Sequence, residues 1–189
     1  MKKLIIISSM FLFVGCWDFE STETRVIVGE EGAPTRIIMK LINFSSDAEE
    51  DDKIKKDFDE FVEAFMGDSF LTEWGKGTAV KDREIYIEND QVIAKFELVT
   101  KKLDEELKFI VANGERIVVF DEEFFGGDSL IETNGKIFKT EENTLIVWSE
   151  DEKELFWKTT GEEPKSETFF NNVPKIASIY RDWKKQRMK

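Results

Sequence analysis

Asp121, Glu122, Glu123 and Asp128 set four carboxylates around Phe124-Phe125-Gly126-Gly127. Carboxylates this dense can grip a polar ligand or touch a metal ion, and the double glycine gives the segment room to wrap. As a pair they would also suit glycan hydrolysis, which needs two carboxyl groups flanking a scissile bond. Sequence spacing does not set that separation, however. Turns collect glycine and acid on their own account, so the segment reads first as a connector with its phenylalanines folded inward. Other chemistries fall away on residue type. There is no histidine, which removes Ser-His-Asp and Cys-His nucleophiles and the usual zinc and haem ligands. Gly75-Lys76 lacks the partner residues of a phosphate loop, with Phe70 where a glycine is needed and Gly77 where a hydroxyl is needed. Asp47, Glu49 and Asp51 alternate like the start of a calcium loop. The turn glycine would fall on Asp52 and the closing glutamate on Phe58, so these acids suit a helix start instead. No catalytic residue, metal ligand or cofactor is therefore assigned, and the reading leans away from an enzyme while leaving carboxylate, Lys, Tyr or Ser chemistry open.

Charge is the second lead. Lys175, Arg181, Lys184, Lys185, Arg187 and Lys189 lie in one segment with a single acid, Asp182, in a chain of net charge −13. A basic amphipathic helix of this kind can lie on anionic lipid or on an acidic protein partner. The first reading, however, docks it on its own acidic body through Ile176, Ile179, Tyr180 and Trp183, which recur at helical spacing. Trp148 and Trp157 sit on adjoining predicted strands. Cross-strand packing in the core is the first reading for them, ahead of a sugar-stacking platform.

The third lead is the only cysteine, Cys16. Lys2-Lys3, the apolar run Leu4 to Val14 and then Gly15-Cys16 read as an export signal, which is an address and not part of the fold. The run is also shorter than the roughly 20 apolar residues that a spanning helix needs. The pattern resembles a bacterial lipoprotein signal peptide. Phe13 stands three residues before the cysteine, where that family usually has an aliphatic side chain. The resemblance implies that residues 1–15 are a signal peptide and that Cys16 becomes the lipidated first residue of the mature chain. It implies a protein held by lipid on the cell membrane or outer membrane, facing outside the cytoplasm. Trp17 beside it would suit the headgroup level.

Composition bounds the rest. With Lys2 and Lys3 removed, the acid excess grows further, which argues against nucleic acid as a partner, since that needs clustered positive charge. No disulfide is available, so the fold rests on apolar burial, for which 17 Phe and 5 Trp supply large side chains. The expected partners are the membrane, through Cys16, and an envelope protein. A carboxylate-based envelope hydrolase and a carrier of an apolar ligand are the alternative functions.

The elements that would position these residues follow from periodicity. Residues 16–23 read as a polar, lipid-anchored tether, and 24–189 as a single domain. Strands are expected over 24–29 and 36–44. A capping box at Ser46 and Glu49 opens a helix with Ile54, Phe58, Phe61, Val62, Phe65 and Met66 on one face. Hairpins are expected at Asn89-Asp90, Asn113-Gly114 and Asn134-Gly135, and a last pair over 144–149 and 154–159. A final helix should run over about 174–188, opening at Pro174. The fold class is α+β, an antiparallel β-meander with one amphipathic helix on a face and a C-terminal basic helix.

Overall fold

Alternation along the second strand places Thr35, Ile37, Met39 and Leu41 on one buried face, the pattern of a sheet with one side toward the core. The computed structural model describes residues 17–30, 33–67, 78–101, 103–107, 109–120, 129–140, 143–160 and 166–187. In chain order the elements are β1 (Trp17–Ile27), β2 (Thr35–Ser46), α1 (Asp51–Met66), β3 (Thr78–Glu88), β4 (Gln91–Thr100) and a short α2 (Leu103–Glu106). Then follow β5 (Ile110–Ala112), β6 (Glu115–Phe120), β7 (Ser129–Thr133), β8 (Lys136–Lys139), β9 (Thr144–Ser149), β10 (Glu154–Thr160) and α3 (Glu167–Arg187). The strands form two antiparallel sheets, in the orders β3-β4-β2-β1-β10-β7 and β5-β6-β9-β8. The chain is thus α+β, with antiparallel strands, an amphipathic helix on a sheet face and a C-terminal basic helix.

The core lies on one face of the six-stranded sheet. Ile54, Phe58, Phe61, Val62 and Phe65 recur on one side of α1, as its periodicity predicts, and all are buried. They meet Phe19, Phe44 and Phe96 of the sheet: Phe44 and Phe61 stack with centroids 4.5 Å apart, and Phe65 meets Phe96 edge-on at 6.1 Å. Fully burying one such ring is worth about 1.5–3 kcal/mol. The four-stranded sheet joins the same core through Trp148, whose ring lies 5.9 Å from that of Trp157 on β10.

Five expectations change. Residues 17–23 are not a tether but the first part of β1, paired with β2 from Trp17↔Ser46 onward and with β10 from Ser21↔Thr160. Their polar side chains look tether-like because one face of this strand is open to water. Ser46 does not open a helix. It ends β2, and α1 starts at Asp51 after Glu50, whose backbone carbonyl accepts the Lys53 and Ile54 amides. Asn134-Gly135 is not a hairpin turn, because β7 pairs with β10 while β8 pairs with β9. For the same reason β9 and β10 do not pair with each other. The ribbon they build with β7 and β8 instead bends from one sheet into the other. Finally, α3 begins at Glu167 with Pro174 inside it. Ser166 caps this earlier start, its Oγ accepting the Phe169 amide at 3.0 Å. Pro174 and Phe170, the position whose carbonyl the proline leaves without a helical donor, both face solvent.

Candidate functional site

Cys16, the acidic loop residues Asp121, Glu122, Glu123 and Asp128, and Lys189 lie outside the described residues. The remaining bases of the C-terminal segment sit on α3, whose other side is docked. Phe169, Asn172, Ile176, Ala177 and Tyr180 are buried. Asn172 Nδ2 donates to the carbonyls of Ser46 and Ala48, at 2.8 and 2.7 Å, and the Tyr180 hydroxyl donates to the Ile85 carbonyl at 2.9 Å. Ser45 Oγ donates to the Phe169 carbonyl at 2.7 Å. The helix therefore crosses the domain from the end of β2 to edge strand β3.

Its bases are engaged locally. Lys175 Nζ lies 2.9 Å from Asp51 Oδ1, Arg181 pairs with Asp90, and Lys185 lies 3.1 Å from Asp182. Lys184 stands over the Tyr180 ring at 5.6 Å and Arg187 over the Trp183 ring at 4.7 Å. The three acids concerned are exposed, and pairs of this kind contribute about 0–1 kcal/mol each. The acids near the start of α1 are spent in the same way: Asp47 accepts from Ser166, Glu50 from Lys53 and Asp51 from Lys175. Among the described residues no three Asp, Glu or Cys side chains converge as metal ligands.

Two features were not visible in the sequence. The first is a charged row across the outer face of the six-stranded sheet. Register places Glu84, Lys95, Lys40, Glu23, Lys158 and Glu132 in line, one from each strand. Lys95 meets Glu84 at 2.8 Å, and Glu23 meets Lys158 at 3.5 Å and Lys40 at 3.8 Å. Beside this row, Arg36 donates twice to the buried Glu97 carboxylate, at 2.7 and 2.9 Å, and Lys81 lies 3.2 Å away. Those hydrogen bonds from Arg36 outweigh the cost of burial, with help from Lys81, and hold the Glu97 carboxyl at about 2. A general acid needs a raised value, so Glu97 is an ion-pair anchor.

The second feature is the bend between the sheets. Asn134 Oδ1 accepts from the Trp148 indole Nε1 and from the Phe156 amide, both at 2.8 Å, while its Nδ2 donates to the Glu154 carbonyl at 2.8 Å. Gly135 packs beneath Ile146 and Trp148 so closely that an added Cβ would stand 2.5–2.8 Å from their atoms. Trp148 and Trp157 are both buried, which places them in the core rather than on a stacking platform. Among the described residues β7 ends one sheet and β8 ends the other, joined at this bend.

Among the described residues no helix is long and apolar enough to cross a membrane. No family model, curated protein or solved structure matches the chain.

Proposed function

We propose that the chain is a membrane-anchored extracytoplasmic lipoprotein whose domain is a non-enzymatic binding module of the cell envelope. The observation that carries this reading is the run Lys2-Lys3, Leu4 to Val14 and Gly15-Cys16, ending one residue before β1 begins at Trp17. Signal and fold abut without overlapping, so cleavage before Cys16 removes no described element.

This junction gives the anchor a definite geometry. Lipid on Cys16 leaves no tether, and the bilayer meets the end of the sheet where Trp17 pairs with Ser46. The start of α3 is fastened at that end through Ser45, Ser46 and Ala48. Its exposed side carries Phe170, Lys175, Arg181 and Lys185. The present partners of the three bases are weak surface ion pairs, so exchanging a carboxylate for a lipid phosphate costs little. Each base near an anionic surface contributes about 1 kcal/mol, which reinforces a single lipid anchor.

The test is metabolic labelling with a fatty-acid analogue in the wild type and in Cys16→Ser, followed by membrane fractionation. The expected result is loss of label and of membrane location together in the variant. An unlabelled wild type in the soluble fraction would overturn the proposal.

A further inference from the structure

We propose that the outer edge formed by β7 and β8 is a docking strand that adds an extended, acidic segment of a partner protein to the sheet. This rests on the binding-module half of the proposed function and is independent of the lipid anchor.

Four observations carry it. First, β7 ends one sheet and β8 ends the other, and Asn134-Gly135 joins them into a single edge with no strand beyond it among the described residues. Alternate backbone N–H and C=O groups of such an edge face outward and offer a ready ladder to an incoming strand. Second, six large apolar side chains stand exposed among the described residues, and Ile131, Ile137 and Phe138 belong to this one edge. Ile131 is the extra residue of a bulge, since Glu132 pairs with Lys158 and Leu130 with Thr159. Ile137 and Phe138 project to opposite faces of β8, opposite Ile146 and Leu145 of β9, so an added strand meets an apolar side chain on each face. Third, Lys136 and Lys139 flank these two residues, both exposed and neither in an ion pair among the described residues. Lys40, Lys95 and Lys158 in the six-stranded sheet each have a carboxylate. Fourth, the bend is held by the three bonds of Asn134 and by Gly135 against Trp148, so the edge is set before any partner arrives.

The two lysines choose the occupant. A second copy pairing antiparallel across Ile137 and Phe138 would set Lys136 opposite Lys139 of the other chain, and like charges directly opposite are destabilising. A strand reading acid, apolar, apolar, acid places a carboxylate against each lysine and an apolar side chain against each of Ile137 and Phe138.

The experiment uses the full chain in detergent micelles and two blocked synthetic peptides, Thr-Thr-Glu-Val-Ile-Glu-Thr-Thr and the same sequence with lysine for both glutamates. Binding is read by fluorescence anisotropy, and amide hydrogen exchange locates it. The acidic peptide is expected to slow exchange over residues 136–139 and to bind about tenfold more tightly than the lysine peptide. The double variant Lys136→Glu, Lys139→Glu alters two exposed side chains, and it should reverse that preference with an unchanged near-ultraviolet spectrum. Equal binding of the two peptides, protection elsewhere, or protection of 136–139 that rises with protein concentration and no peptide would each overturn the proposal. The last result would assign the edge to a second copy. Repeating the titration on Cys16→Ser separates the two proposals, because loss of membrane association leaves the peptide result untouched.

Discussion

Replacing Asn134 with alanine removes the three side-chain hydrogen bonds that hold the bend, each 2.8 Å long. The bonds are not equal. The Phe156 amide and the Glu154 carbonyl lie at exposed positions and can turn to water, so each is worth about 0.5–1 kcal/mol. The Trp148 indole N–H is different, because that residue is only 3% exposed and its one donor would be left without an acceptor. An unsatisfied buried donor costs about 1–3 kcal/mol. The sum predicts a loss of about 2–5 kcal/mol, a large share of the roughly 5–15 kcal/mol that holds an ordinary domain. Urea unfolding followed by tryptophan emission measures it directly, since Trp148 and Trp157 pack together in the core. A double-mutant cycle with Trp148→Phe isolates the indole contribution. With the N–H gone, Asn134→Ala should cost about 1–3 kcal/mol less than in the wild type. Additive effects of the two substitutions, or a single-mutant loss below about 0.5 kcal/mol, would refute the argument that Asn134 holds the bend through Trp148.

Three further predictions concern neighbouring parts of the same framework. Gly135→Ala forces a Cβ against Ile146 and Trp148, both buried, and should cost about 1–3 kcal/mol in the same urea assay; an unchanged midpoint would contradict it. Glu97 has its carboxyl lowered from the ordinary 4.5 to about 2 by the hydrogen bonds from Arg36, so its contribution is fully present above pH 4.5 and is lost as pH falls toward 2. Between those values the stability of the wild type should fall by about 1–2 kcal/mol more than that of Glu97→Gln, after allowance for solvent screening; parallel curves would show that the pair stores no such energy. Arg83 Nη1 donates to the carbonyls of Phe65 and Gly67, both at 2.8 Å, where α1 ends without a basic residue of its own. Arg83→Ala should therefore cost about 1–2 kcal/mol and speed amide exchange in the last turn of α1, with no change at its start.

The contrast between two Asn-Gly pairs shows how far local sequence carries. Asn113 and Gly114 adopt positive φ, at 54° and 78°, and turn a hairpin between β5 and β6 as their types predict. Asn134-Gly135 has the same composition and does something else. Its asparagine is held by Trp148 and Phe156 from later in the chain, and its glycine is needed for close approach rather than for a left-handed turn. No local signal distinguishes the two pairs. The stripe on α1 was legible because a 3.6-residue period is written in side-chain type alone. The strand nature of Trp17 to Glu23 was not, because pairing with β2 and β10 decides it. The candidate surfaces divide in the same way. The basic segment and its apolar face could be read from the sequence, and Phe169 with Asn172 extended that face once Ser166 fixed the true start of α3. Its partners Asp51 and Asp90, the charged row from Glu84 to Glu132, and the open edge at β8 all depend on register, which sequence spacing does not reveal.

The central claim is that the chain is anchored by lipid on Cys16, directly beside the fold. Mass spectrometry of the N-terminal peptide, taken from protein purified from membranes, tests it most directly. The account predicts a first residue of Cys16 carrying a covalent lipid, with residues 1–15 gone. An intact Met1 or an unmodified Cys16 in the membrane-bound protein would contradict it.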